Sequence, residues 1–274
     1  MKKKNDLICC RLKRLPNSVL VEAAQTATRI NPVNHPRMDG LAGLMPGFRP
    51  SPQRIAVMTT SYWGAAGVKL TVGFLDNPPA DLRKHILLHM NAWDKQANVQ
   101  FVPGDTDPQV RISRVGGTDG GYWSYVGTEI LHTPKAEATM NLEEFTMETP
   151  ESEFHRVVRH ETGHTLGFPH EHMRRALVEK IDRQKAIAYF KRQDNWDEQE
   201  TINQVLTPIE EAAIRGTIAD PNSIMCYQIP GEITTDGEPI VGGLDIDKSD
   251  YTFAGQIYPK PAAPVKKKPG AKKK

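Results

Sequence analysis

Residues 160–170 read H-E-T-G-H-T-L-G-F-P-H, and this short run constrains the fold more than any property of the whole chain. Four residues apart on a helix, His160 and His164 leave the same face one above the other, so both imidazoles can reach a single ion. Glu161 stands beside them, close to any water that the ion would hold, and the H-E-x-x-H spacing marks it as the expected general base. Gly167 is free to take positive φ, which ends the helix and turns the chain so that His170 can come back as a third ligand. Three protein ligands leave one coordination position open, as in a catalytic zinc site and unlike a structural one closed by four. The chain uses nine His and 21 Gly in 274 residues. At such frequencies the five fixed positions coincide by accident with a probability of roughly one in twenty thousand, so chance is no serious rival.

The pattern H-E-x-x-H-x-x-G-x-x-H resembles that of the metzincin zinc endopeptidases. The closer similarity is to the astacin family, whose signature continues as G-F-x-H-E-x-x-R; Gly167, Phe168, His170, Glu171 and Arg174 fall in those places. Farther along, Ser223-Ile224-Met225-Cys226-Tyr227 is similar to the family's Met-turn, S-I-M-H-Y, with Cys226 in place of the histidine. Upstream, residues 63–72 resemble the family's first strand, and residues 121–127, G-Y-W-S-Y-V-G, resemble its G-C-x-S-x-V-G segment. Downstream, residues 244–258 resemble its closing L-D-I…L-Y helix.

The resemblance implies roles for the matching positions. His160, His164 and His170 would bind one zinc ion, and Glu161 would take a proton from the zinc-bound water and pass it to the leaving amine. Met225 would form an apolar floor beneath the imidazoles. Tyr227 matches the astacin phenol that can bind zinc at rest and swing away to hydrogen-bond the oxyanion of the tetrahedral intermediate. An extended protein or peptide substrate would pair with an edge strand of the sheet, and secretion would be expected.

The departures from the family pattern are also informative. Secreted astacins usually carry disulfides, whereas this chain has cysteines only at Cys9, Cys10 and Cys226, with Tyr122 at one expected cysteine position. Stability then has to come from a hydrophobic core, which a domain of this size can supply. The family's R-P-D-R-D after the third histidine is replaced by Arg174-Arg175-Ala176, and Arg175 and Arg183 read as solvated helix charges. Cys9 and Cys10 raise two ideas, a lipidation site or a latency thiol that occupies the open position of the zinc. The first lacks a preceding small residue and apolar run and the second lacks supporting context, so both are expected to be ordinary thiols.

The formal charge of +2 conceals an asymmetry. Residues 1–14 carry six Lys/Arg and one Asp, a net +5, and residues 260–274 carry seven Lys and no acid, a net +7, which leaves −10 on the rest. An acidic body between basic ends argues against nucleic-acid binding by the folded domain. The Lys-rich tail, residues 260–274, has nothing with which to build a core and reads as a disordered, solubilising extension or a weak contact to an acidic surface. No run approaches the apolar length of a transmembrane helix. Arg11, Lys13 and Arg14 interrupt the apolar stretch that begins at Leu7, so no ordinary signal peptide is visible and the location stays open.

Residues 31–54 are rich in Pro, Gly and Asn and read as a linker, which gives three parts: an N-terminal extension and possible pro-segment over 1–54, a catalytic domain over 55–259, and the tail over 260–274. Within the domain, alternation predicts a strand over 68–75 and further strands over 99–102, 110–115, 122–126 and 139–142. Residues 80–97 form an amphipathic helix with Leu82, Ile86, Met90 and Trp93 inward. His85 and His89 lie four apart on it, but lack a neighbouring carboxylate and a third partner, so no second metal site is expected. Thr149-Pro150-Glu151 reads as the start of the zinc helix, with the Thr149 hydroxyl capping it and Phe154, Val157 and Val158 inward. Residues 176–205 are mostly helical, and a last helix ends near Tyr258. The fold class is α+β: a twisted, mainly N-terminal sheet and an active-site helix over a cleft, with an irregular, helical C-terminal half. The function implied is zinc-dependent hydrolysis of peptide bonds. The alternatives are a zinc amidase acting on a small substrate and a non-enzymatic binding protein that zinc merely stabilises, for which Glu161 has no use.

Overall fold

The structure, a computed structural model, describes residues 10–36, 51–104, 106–209 and 219–261. Its strands are β1 (Arg11–Leu12), β2 (Val68–Phe74), β3 (Val99–Pro103), β4 (Val110–Ser113), β5 (Tyr122–Ser124) and β6 (Met140–Leu142). The helices that matter for the site are α1 (Leu20–Ile30), α2 (Pro52–Met58), α3 (Ala80–Met90) and α4, which begins at Glu151–Glu153, widens into a π-helical turn over Phe154–Val158 and returns to α geometry over Arg159–Thr165. Beyond it come α5 (Arg175–Val178), α6 (Arg183–Asp194), α7 (Glu198–Thr201), which runs on as a π turn over Ile202–Leu206, and α8 (Lys248–Ile257).

The strands lie in the order β1-β5-β6-β4-β2-β3. β2 is parallel to β3 and β4, β6 is parallel to β4, β5 runs antiparallel to β6, and β1 is parallel to β5. Parallel neighbours need a crossover, and α3 with the 3-10 turn Asn91–Lys95 supplies the one between β2 and β3. The strand and helix periodicities turn the expected residues inward: Val68, Leu70 and Val72 of β2 are buried, as are Leu82, Ile86, Met90 and Trp93. They join Phe154, Val157 and Val158 of α4 in one apolar cluster, so α4 is packed directly against the sheet and α3.

A second apolar cluster fills the lower half, with Leu177, Ile181, Tyr189, Phe190, Trp196, Val205 and Ile229 among its members. α6 is well delimited within it: the Asp182 carboxylate accepts the Gln184 and Lys185 backbone N–H groups at the N-terminus, and Asn195 takes a left-handed conformation at the C-terminus. The body is thus a sheet half and a helical half.

Two local expectations are corrected. Thr149 does not cap α4; its hydroxyl accepts the Thr146 backbone N–H at 3.0 Å, and Pro150 holds the N-cap position without a side-chain bond. Part of the stretch read as a linker is also built into the body. Asn34 is fully buried, its amide donating to Ala27 and Tyr62 carbonyls and its Oδ1 accepting the Tyr62 N–H at 2.9 Å, while Asn31 donates to the Trp63 carbonyl at 2.7 Å. Asn and Pro looked like loop composition, yet each buried amide here satisfies backbone groups that packing has removed from water. Helix α2 spans residue 54, the boundary assigned to the catalytic domain. Cys9, residues 37–50 and nearly all of the Lys-rich tail lie outside the described residues.

Candidate metal centre

α4 ends where the sequence requires it to. Gly167 takes φ +96°, its N–H reaching the His164 carbonyl at 2.8 Å while Phe168 N–H reaches the Gly163 carbonyl at 3.0 Å. These paired bonds form a Schellman terminus, with glycine at the left-handed position. The next carbonyls would be orphaned at a buried helix end, but Trp63 Nε1–H donates to the Thr165 carbonyl at 2.9 Å and the Tyr258 hydroxyl donates to that of Leu166. Chain reversal at Gly167 then carries His170 back toward the helix.

The three imidazoles meet. Ring centroids lie 4.8 Å apart for His160 and His164, 5.3 Å for His160 and His170, and 4.5 Å for His164 and His170. His160 Nδ1 is 2.6 Å from the Ile224 carbonyl, and His164 Nδ1 is 2.7 Å from that of Phe168. A carbonyl only accepts, so each Nδ1 carries the proton and each Nε2 keeps its lone pair. His164 Nε2 and His170 Nε2 approach to 2.9 Å, and His160 Nε2 is buried with no hydrogen-bond partner among the described residues. Burial lowers the His160 pKa to about 4 and those of His164 and His170 well below the ordinary value, so all three rings are neutral. Three neutral imidazoles, two of them oriented by carbonyls, around an orphaned buried lone pair fit a zinc ion in ligand type and number.

Glu161 adjoins these rings and is fully buried. Burial pushes its carboxyl up to about 8, with the Cys10 thiol pulling the other way. Below the rings, Met225 packs against α4 at Gly163, where an added Cβ would drive into its Sδ. The turn that carries Met225 is fixed by Asp250: its carboxylate accepts the Ser223 hydroxyl at 2.6 Å and the Ile224 N–H at 2.9 Å while closing the N-terminus of α8. Met225 belongs to the sheet-side core and Tyr227 to the lower one. The Tyr227 ring lies 4.4 Å from His170 and stacks on His172 at 4.0 Å.

The sequence missed one participant and misjudged another. His172 is fully buried, its Nε2–H donating to the Gln204 carbonyl at 3.0 Å, and burial lowers its pKa to about 3; the H-E-H at 170–172 was the available signal. Cys10 is not an ordinary thiol. It is buried outside any disulfide, and its Sγ and the ligand nitrogens of His160, His164 and His170 all lie within 4.8 Å of one another. Its sequence context gave no hint, because its neighbours lie about 150 residues away.

His85 and His89 do have a neighbouring carboxylate. Glu151, at the start of α4, lies 2.8 Å from His85 Nε2 and 3.0 Å from His89 Nε2. Arg159 Nε donates to His89 Nδ1 at 3.3 Å, which puts the His89 proton on Nε2, facing Glu151. His85 Nε2 hydrogen-bonds Glu151, which ties α3 to α4, and the ligand atoms of His85, His89 and Glu151 all lie within 4.8 Å of one another, so the cluster is a second group close enough to share an ion. Asp245 completes it through Arg159 at 2.6 Å and His155 at 2.8 Å. Arg175 and Arg183 are exposed, as expected.

The family model for Astacin, a peptidase family, matches residues 59–236. Among solved structures, the chain is similar to one of myroilysin at 29% identity, with a TM-score of 0.68 over 73% of this chain and 97% of that one. It is similar to a crystal structure of myroilysin at 28% identity, with a TM-score of 0.56 over 73% and 86% of the two chains. High choriolytic enzyme 1, a hatching-enzyme zinc protease from the medaka fish Oryzias latipes, aligns at 19% identity with a TM-score of 0.48 over 73% and 93%. No curated protein matches the chain.

Proposed function

Because the chain belongs to the astacin family of zinc metalloendopeptidases, we propose that His160, His164 and His170 hold its zinc ion and that Glu161 is the general base of peptide-bond hydrolysis. Membership makes it a zinc-dependent endopeptidase acting on protein or peptide substrates, so the zinc amidase and the non-enzymatic binding protein fall away. The observation that carries the residue assignment is the convergence of three neutral imidazoles beside a fully buried carboxylate.

Zinc held there supplies a Lewis acid that polarises the scissile carbonyl and makes water acidic enough to ionise near neutral pH. Glu161 takes the proton of the attacking water and returns it to the leaving amine. Its burial raises its proton affinity, and a dication beside it draws that affinity back, which favours exchange in both directions. Tyr227 is assigned as the donor to the oxyanion, its ring steered by the stack on His172. The Ile224 and Phe168 carbonyls fix the tautomers of His160 and His164, so the rings need no reorganisation to bind metal.

Among the described residues no helix is long and apolar enough to cross a membrane; secretion accords with the family. Residues 1–54 are assigned as a pro-segment in front of the catalytic domain 55–259. Its described parts are docked on that domain through β1, α1 and the Asn31 and Asn34 amides. The Lys-rich tail is assigned a solubilising role.

Glu161→Gln keeps the shape and removes the base. In catalytically active preparations it is expected to retain one zinc per chain while casein cleavage falls by about 100-fold or more. Cleavage at the parent's rate would exclude Glu161 as the base.

A further inference from the structure

We propose that His85, His89 and Glu151 form a second divalent-cation site, which clips α3 to the start of α4 and fills at zinc concentrations above those that load the three-histidine centre. Two observations carry it. The ligand atoms of these residues lie within 4.8 Å of one another, with His85 Nε2 2.8 Å from one Glu151 oxygen and His89 Nε2 3.0 Å from the other. His89 is only 2% exposed, and its Nε2 is buried with no hydrogen-bond partner among the described residues, because the nearby Glu151 oxygen lies off the line of a hydrogen bond. An imidazole nitrogen withdrawn from water and matched by nothing costs stability, which a cation shared with the carboxylate restores.

The ligands are held ready by their surroundings. His85 and His89 stand one turn apart on α3 with ring centroids 4.8 Å apart, and the Phe154 ring packs on both, 4.4 Å from His85 and 5.3 Å from His89. Zinc bonds of about 2.0–2.1 Å in a tetrahedral set place ligand atoms about 3.3–3.4 Å apart. The present separations of 2.8 and 3.0 Å therefore need only widen slightly. Two imidazoles and one carboxylate select a borderline ion such as zinc over calcium or magnesium, which take oxygen ligands. Burial lowers the His89 pKa to about 4, so that ring is neutral and no second proton competes with the ion. A cleft of about 520 Å³, lined in part by Glu151, His155 and Gln228, opens beside the cluster and gives the ion a way in.

Arg159 sets the affinity. Its Nε–H donates to His89 Nδ1 at 3.3 Å and its Nη1–H to Asp245 at 2.6 Å. When an ion takes His89 Nε2, the ring proton moves to Nδ1, and the guanidinium gives up the longer of these bonds and keeps the shorter. That exchange, the repulsion between a dication and a nearby cation, and a Glu151 side chain 59% exposed make this site weaker than three buried histidines, so added ion fills it. Glu151 opens α4 and His160 follows nine residues later, roughly 13 Å along a helix, too far for the two ions to share a ligand. Between them lies the π turn Phe154–Val158. Ion binding ties the near end of that turn to α3 and steadies the helix that carries His160, Glu161 and His164.

The test is anomalous diffraction at the zinc edge on crystals of the full chain soaked in millimolar zinc chloride, with thermal unfolding of the parent, His85→Ala and Glu151→Gln in the same solution. A peak among His85, His89 and Glu151 is expected in the soaked parent and in neither variant, while all three keep the peak at His160, His164 and His170. Once zinc exceeds the dissociation constant of the second site about 100-fold, the Tm of the parent is expected to rise by at least about 5 °C and that of each variant by less than half as much. An empty map at the second cluster in the soaked parent overturns the proposal. So does an equal rise in Tm for parent and variants, or a cluster that fills as readily with calcium as with zinc. The soaked parent decides occupancy whether or not either variant folds.

Discussion

At the residue scale, the site divides by how far apart its members lie in the chain. His160, Glu161, His164 and His170 occupy one helix and one turn, so helical period and a glycine were enough to bring them together on paper. Cys10, Glu151 and His172 take their meaning from contacts with distant segments, which local spacing does not encode. Cys226 illustrates the same limit: it stands where the family has histidine, and in this chain it packs into the lower core. Tyr227 was legible only through its Met-turn context, and its stack on His172 gives the assigned oxyanion role a physical basis. Tyr227→Phe removes one donor without changing shape. If the phenol stabilises the transition state, kcat for peptide hydrolysis falls by roughly 100- to 1,000-fold with KM little changed, in line with other oxyanion donors. An unchanged kcat would reduce Tyr227 to packing.

At the element scale, strands and helices with a buried face were legible, since β2 and α3 turn inward the residues that their periods select. What escaped was structure whose stability is tertiary. β1 is two residues long and has no periodicity to read; it exists because β5 and the Gln204 side chain satisfy its backbone from both sides. The π turn in α4 likewise left no mark in the hydrophobic pattern, although it sits just ahead of the candidate zinc ligands, where such turns often accompany function. Gln204→Ala deletes two hydrogen bonds to Leu12 and leaves every candidate ligand in place. At about 0.5–1.5 kcal/mol each, their loss should speed hydrogen exchange of the Leu12 amide by roughly 10- to 100-fold, read by NMR. Unaltered protection would show that Gln204 does not clamp the strand.

At the scale of the whole molecule, the α+β architecture followed from the order of elements, and the two halves follow from two apolar clusters that meet at the metal centre. Residues 225 and 227 point into different clusters, so the turn between them joins both halves beneath the imidazoles. The docking of residues 10–36 on this body was not legible, because basic and loop-forming residues read as an extension when their partners are unknown. The central claim is that His160, His164 and His170 converge on one zinc ion, and anomalous diffraction at the zinc absorption edge, on crystals of protein purified without added metal, tests it most directly. The account predicts one strong peak, bonded to the Nε2 atoms of those three histidines, and no peak at His85, His89 and Glu151; an empty map at the three histidines, or zinc bound at the second cluster instead, would contradict it.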